Sequence, residues 1–240
     1  MKKEKGILRR MYFYCWQKPI LKTIAWYGQR FYFFLVRSKI KLLNQKDLEI
    51  LYGGNYYDFS KDVTAGFVKE FVQMLVERFE PESVLDVGCG MGLYVNEFDK
   101  LGIDVEGFDG SPTALKETVA RKELVWKEDI RELDTSDKGY DMALCVEVAE
   151  HIPKKYADTL VQFITSASDL VIFSASPKGL GGTNHVNEQP RTYWYDLFRE
   201  YGFKYLGLTT DKLSDEIKAK GMPHWLWQDI MVFKKNERNE

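Results

Sequence analysis

Val84-Leu85-Asp86-Val87-Gly88-Cys89-Gly90-Met91-Gly92 decides the fold of this 240-residue chain. A short apolar run carries one acid and breaks at once into a turn with three alternating glycines. This is the pattern of a strand that delivers its carboxyl end to a ligand. Without a Cβ, the glycine backbone turns sharply and lets a ligand approach the amides. Open α/β sheets bind nucleotides at such strand ends. Asp86 narrows the ligand. A pyrophosphate gains nothing from a carboxylate beside it, whereas a cationic group does.

Outward from this turn, helices and strands alternate. Thr64–Phe79 has apolar residues at Phe67, Val68, Phe71, Val72, Leu75 and Val76, which is helical spacing closed by Pro81. Strands are predicted at Ser83–Val87, Val105–Phe108, Leu124–Lys127, Tyr140–Glu147 and Leu170–Ala175. Helices are predicted at Leu93–Leu101, from Ser111-Pro112 onward, at Lys154–Ser166 and at Arg191–Tyr201. Ser111 suits an N-cap and Pro112 the first helical position. Phe203–Thr209 and Asp229–Lys234 read as a final antiparallel pair. The expected fold class is α/β: a Rossmann-like sheet of about seven strands, mostly parallel with an antiparallel C-terminal strand, and helices on both faces. An N-terminal helical extension precedes it.

These residues resemble the class I S-adenosylmethionine-dependent methyltransferases over residues 60–236. A glycine-rich turn alone also occurs in dinucleotide folds. Here acids at the next two strand ends follow in the family's order. Asp109 lies seventeen residues after Gly92, within Phe108-Asp109-Gly110-Ser111-Pro112, which is similar to the family's second motif. The resemblance implies that Asp109 accepts the ribose hydroxyls, with Gly110 and Ser111 beside it. It implies that Asp129 receives the adenine amino group and that the Ile130 amide bonds the ring. Leu93, Phe108 and Ile130 are the implied apolar walls. Asp86 is expected to meet the methionine ammonium, and Gly88, Cys89, Gly90, Gly92 and Val146 to line the cofactor.

Glu147-Val148-Ala149-Glu150-His151-Ile152-Pro153 follows the fourth strand, where the transferable methyl would lie. Two acids and a histidine within five residues can face one point if the chain turns. They are oxygen and imidazole ligands suited to Mg²⁺ or another divalent cation. Glu-x-x-Glu-His resembles ubiquinone-biosynthesis O-methyltransferases and the enzymes that methylate the 2′-hydroxyl at small-RNA 3′ ends. In the RNA enzymes a downstream histidine completes a metal site, and His185 stands in the corresponding loop. Gly-Gly-Thr-x-His-Val-Asn-Glu-Gln-Pro around it also resembles methyltransferases of glycan modification. Three readings stay open on sequence. Glu147, Glu150, His151 and His185 hold a divalent metal that activates the acceptor hydroxyl. Alternatively, His151 or His185 is the general base without a metal. In the third, Glu150-His151 only caps the next helix.

Composition sets the frame. Hydrophobic residues make up 45% and charged residues 29%, as in a globular protein with a real core. Net charge is only −2, but residues 1–46 carry twelve Lys/Arg against one acid, a local +11. That stretch is interleaved with rings such as Trp16, Trp26, Phe31 and Tyr32. It reads as a helical lid, a membrane-surface contact or, as a lesser alternative, an RNA contact. The expected division is 1–59 for the extension, 60–236 for the catalytic unit and 237–240 for a frayed tail. Tyr52–Asp58 reads as the hinge between extension and core, and His224, Trp225 and Trp227 as residues near the acceptor. The three cysteines, Cys15, Cys89 and Cys145, cannot all pair and read as thiols of a cytoplasmic protein. No signal peptide is expected. Nor is a transmembrane segment expected, since no stretch approaches the ~20 apolar residues one needs.

The functional expectation is methyl transfer to a hydroxyl of a small molecule or glycan. Methylation of an RNA ribose 2′-hydroxyl is the alternative enzyme. A non-catalytic S-adenosylmethionine-binding protein is the alternative from another class.

Overall fold

A computed structural model describes residues 66–136, 139–180 and 184–237. The expectations for the N-terminal extension, the Tyr52–Asp58 hinge and Cys15 lie outside these residues, as do Gly181–Thr183 of the loop before His185.

The first described helix, α1 (Val68–Phe79), buries Val68, Phe71, Val72 and Leu75 and ends where Glu80 turns left-handed at φ 47°. β1 (Ser83–Val87) follows. Its alternating side chains serve two cores: Leu85 and Val87 join one apolar cluster, and Val84 joins the other. Then come α2 (Leu93–Lys100), β2 (Asp104–Asp109), α3 (Pro112–Lys116), β3 (Val125–Lys127) and β4 (Met142–Val146). The chain ends with α4 (Ala157–Ala167), β5 (Leu170–Ser174), α5 (Arg191–Glu200), β6 (Phe203–Tyr205), α6 (Gly207–Ala219), α7 (His224–Asp229) and β7 (Ile230–Lys235).

The seven strands form one sheet in the order β3-β2-β1-β4-β5-β7-β6. β1 to β5 pair in parallel, and β7 runs antiparallel to both β5 and β6. One face is covered by α4 and α5, through Leu160, Val161, Ile164, Trp194 and Phe198. The other is covered by α1, α2 and α6, through Phe71, Leu75, Phe98, Leu213 and Ile217. Each fully buried Leu, Ile or Phe contributes about 1.5–3 kcal/mol. The order in which successive strands are laid down switches direction between β1 and β4, the place where open α/β sheets leave a crevice at the strands' carboxyl ends.

Several boundaries differ from the sequence expectation. The strand expected over Phe203–Thr209 stops at Tyr205. Gly207 begins α6 instead, because Thr210, Leu213 and Ile217 form a buried helical stripe. The strand expected over Tyr140–Glu147 is shorter: Tyr140 makes only an isolated bridge to Ser168, and Glu147 leaves the strand at φ 57°. Lys154–Tyr156 is a 3₁₀ turn ahead of α4. Ser111 caps α3 as expected, accepting from the Ala114 amide at 3.3 Å, with Pro112 at the first helical position.

Candidate active site

The glycine turn after β1 hangs on β2. The amides of Gly88 and Cys89 both donate to the Phe108 carbonyl at 2.9 Å. A Cβ on Gly88 would lie 2.6 Å from a Val148 methyl, and its φ is +74°. At Gly90, φ +55°, a Cβ would meet nothing within 4 Å. The first glycine lets the chain pass the Glu147–His151 turn, and the second faces open space.

Asp109 ties this turn to the next loop. Its Oδ2 accepts from the Gly90 amide at 2.9 Å and its Oδ1 from the Ser111 amide at 2.7 Å. Each carboxylate oxygen keeps a further lone pair for a ligand hydroxyl. Burial raises the Asp109 pKa, and the two amides oppose that shift. Asp86 is buried, and its Oδ2 has no hydrogen-bond partner among the described residues. Burial, and then the Asp109 charge, push its pKa up to about 8. A buried carboxylate with an orphaned oxygen calls for a cationic partner.

The other expected cofactor residues are placed unevenly. Asp129 accepts from the Arg131 amide at 3.0 Å, and the Arg131 guanidinium closes on the same carboxylate. That contact, chiefly the side-chain hydrogen bond, holds the Asp129 pKa down. Ile130 is buried, and Leu93 is half-buried at the start of α2. Phe108 is fully buried between Trp126 and Phe163, with both centroid distances 5.5 Å. Cys89 is buried, and burial pushes its thiol pKa up. Val146 is half-buried and paired in register with Ser174. Gly110 is exposed beside Ser111.

The Glu147–His151 turn is built from two strand ends. The left-handed backbone of Glu147 is uncommon outside glycine, and such conformations cluster at functional sites. Ser174, at the end of β5, holds it in place. Its hydroxyl accepts from the Glu147 amide at 3.0 Å and donates to Glu147 Oε1 at 2.8 Å. Ala149–His151 then forms a 3₁₀ turn. The downstream loop docks on it: the amides of Val186 and Asn187 donate to the Glu150 carbonyl at 2.9 and 3.0 Å. The Asn187 side chain donates to the Ala149 carbonyl at 3.2 Å.

This docking brings Glu150, His151 and His185 together, with one potential ligand atom from each within 4.8 Å of the others. Glu147 is not in that group, since its carboxyl turns to Ser174. Glu150 is fully buried, and neither carboxyl oxygen has a hydrogen-bond partner of good geometry among the described residues. Burial pushes its pKa up to about 7, a shift limited by its own amide, the Glu147 carboxyl and the Ser176 amide. Glu147 is raised well above the ordinary range by burial and by Glu150. His151 is pushed down to about 4 by burial and then by His185, while the Asn184 carbonyl opposes the shift. At neutral pH His151 is therefore an uncharged imidazole, the form that binds metals and takes protons.

Sequence reasoning missed Ser174, Asn187, Glu188 and Asp229. Asp229 is buried at the end of α7, its Oδ2 without a hydrogen-bond partner among the described residues, and its neighbour Ile230 pairs in register with Ser174. Burial and then Glu147 raise its pKa to about 7, and Arg191 opposes them. Only the Glu188 spacing, three residues after His185, was a readable signal. His224 is exposed at the start of α7. Trp225 packs on Phe67 at 5.7 Å and Trp227 lies under the Lys218 ammonium at 4.8 Å.

A family model described as a methyltransferase domain matches residues 61–208, more than half of the chain. The chain belongs to this family, within class I. Among curated relatives of this methyltransferase, the ubiquinone biosynthesis O-methyltransferase of Acinetobacter baumannii (strain ACICU) is 26% identical over 152 residues, 60% of each chain. The chloroplastic magnesium protoporphyrin IX methyltransferase of Arabidopsis thaliana is 27% identical over 154 residues, 59% of this chain and 45% of that protein. The chain thus spans about 60% or less of the length of these relatives. The crystal structure of magnesium protoporphyrin IX methyltransferase from Synechocystis PCC 6803 with bound SAH superposes at a TM-score of 0.58. It shares 18% identity and the match covers 80% of this chain and 100% of that one, which establishes the fold alone. No described helix is long and apolar enough to cross a membrane.

Proposed function

We propose that this methyltransferase transfers a methyl group from S-adenosyl-L-methionine to a hydroxyl of a small molecule or glycan. The observation that carries this reading is the convergence of Glu150, His151 and His185 at the carboxyl end of β4, next to the glycine turn. The curated relatives include a named O-methyltransferase, which supports oxygen as the acceptor atom.

The residues fit the donor. Asp86 offers a buried carboxylate with an orphaned oxygen for its ammonium, Asp109 offers spare lone pairs for its ribose, and the backbone at Gly90 is open. Asp129 would meet the adenine once it yields part of its contact with Arg131. S-adenosyl-L-methionine supplies a sulfonium methyl: the new O–C bond forms as the S–C bond breaks, and the bonding pair returns to sulfur. The chain's task is then to align the hydroxyl and take its proton. His151, an uncharged imidazole at neutral pH, or His185 accepts that proton. Glu147, braced by Ser174, shapes the wall between donor and acceptor.

The same donor set also fits a divalent cation, since one potential ligand atom from each residue lies within 4.8 Å of the others. Glu150, His151 and His185 would hold it, and it would lower the acceptor hydroxyl's pKa. The test is chelation. Activity lost on EDTA treatment and regained with Mg²⁺ or another divalent ion, with about one bound ion found by elemental analysis, assigns the metal. Full activity after EDTA, with no ion detected, removes the metal and leaves histidine as the base.

A further inference from the structure

The Glu188 carboxylate meets, among its partners, His185 and Gly179. Oε1 lies 3.3 Å from His185 Nδ1, and Oε2 accepts from the Gly179 amide at 2.9 Å. A carboxylate accepts and an amide N–H only donates, so the Gly179 contact fixes one oxygen and aims the other at the imidazole. The contact to Nδ1 is attractive only if that nitrogen carries the proton. The lone pair then falls on Nε2, at the opposite end of the ring. A neutral histidine is set in this way by what its other nitrogen touches.

The bond to Gly179 spans the loop that carries His185, from its entry to its exit. Asn187, next in sequence, anchors the same loop to the Glu150 and Ala149 carbonyls. His185 is thereby held edge-on to His151, with ring centroids 5.0 Å apart.

From this geometry we infer that Glu188 is the positioning residue of the site: it locks His185 as the Nδ1–H tautomer and presents Nε2 to the acceptor hydroxyl or a bound cation. The inference rests on the reading of His185 as a site residue. Glu188→Gln is a sharp probe. A glutamine has one acceptor oxygen, which the Gly179 N–H claims. Its NH₂ then faces His185 Nδ1 and favours the opposite, Nε2–H tautomer.

The experiment is ¹⁵N NMR of the histidine rings in the full chain treated with chelator. The chain has three histidines, so His185→Ala identifies the signal. The wild-type ring is expected in the Nδ1–H form, and Glu188→Gln is expected to shift it to Nε2–H. The same variant is expected to lower kcat about tenfold or more, with the KM for S-adenosyl-L-methionine within about twofold, and Glu188→Ala to lose both the tautomer and the activity. An Nε2–H ring in the wild type overturns the inference even if no variant folds. So does a tautomer that Glu188→Gln leaves unchanged. If the tautomer switches as expected but His185→Ala is fully active, the positioning role stands and the proposed function of His185 falls.

Discussion

His151 and His185 meet edge to face, with their ring planes at 86°, although they lie 34 positions apart in sequence. The contact exists because the loop amides of Val186 and Asn187 dock on the Glu150 carbonyl. Two histidines held in this way are expected to act as one unit. His151→Ala and His185→Ala are each expected to lower kcat by about a hundredfold, the usual range for losing a proton acceptor. The double variant should be little worse than the more damaged single one. Calorimetry should find binding of S-adenosyl-L-homocysteine (SAH) unchanged in all three. Strictly additive losses would separate the two rings into independent roles.

Stability without ligand should fall as pH rises from 6.5 to 8. Asp86, Glu150 and Asp229 have folded pKa values raised to about 8, 7 and 7. A raised carboxyl pKa means that the folded state binds more protons than the unfolded one, and that stabilisation is lost as pH climbs through the folded value. His151, lowered to about 4, acts oppositely but only below its ordinary value of 6.5. Above that pH the acids alone set the slope. Thermal melts across this window should show a falling midpoint in the wild type and a shallower fall in Asp86→Asn. A midpoint that rises with pH would place the acids in ionised, partnered states.

The two glycines should fail differently. Gly88→Ala drives a Cβ into Val148 and should lower the melting temperature strongly, with part of the loss recovered by adding Val148→Ala. Gly90→Ala has room and incurs only the left-handed backbone cost of about 1–2 kcal/mol. Its main effect should be on SAH affinity, reduced about tenfold or more by a methyl group in the cofactor's path. Comparable affinity in Gly90→Ala and wild type would move the cofactor away from that turn.

Arg131 guards Asp129. The pair is partly exposed, so breaking it costs no more than about 1 kcal/mol. Arg131→Ala should free the carboxylate and tighten SAH binding by up to about fivefold, and Asp129→Ala should weaken it. Weaker binding in Arg131→Ala would instead make the arginine a ligand contact.

β1, β4 and β5 were legible because their buried runs are continuous, over Val84–Val87, Met142–Cys145 and Val171–Ser174. The glycine turn and the Glu150-His151 pair were legible because residue type and spacing coincide, whereas Glu147 turns to Ser174 and leaves the group. α6 escaped because a polar residue, Thr210, fills a buried position and blurs the stripe of Leu213 and Ile217. Ser174, Asn187, Glu188 and Asp229 escaped for a different reason. Each is a single polar residue whose role comes from a contact across the fold, and no local period marks it. Asp229 reaches the site only because β7 pairs antiparallel with β5 in a register that sets Ile230 against Ser174.

The most direct test of hydroxyl methylation at this site is the chemistry of the transferred label. The full chain is incubated with tritiated-methyl S-adenosyl-L-methionine and a panel of phenolic, sugar and carboxylic acceptors, and the product is treated with alkali. The expected result is label retained as an alkali-stable methyl ether, formed by the wild type and lost in His151→Ala and His185→Ala. Label released by alkali, as from a methyl ester, or transfer undiminished in both histidine variants, would contradict it.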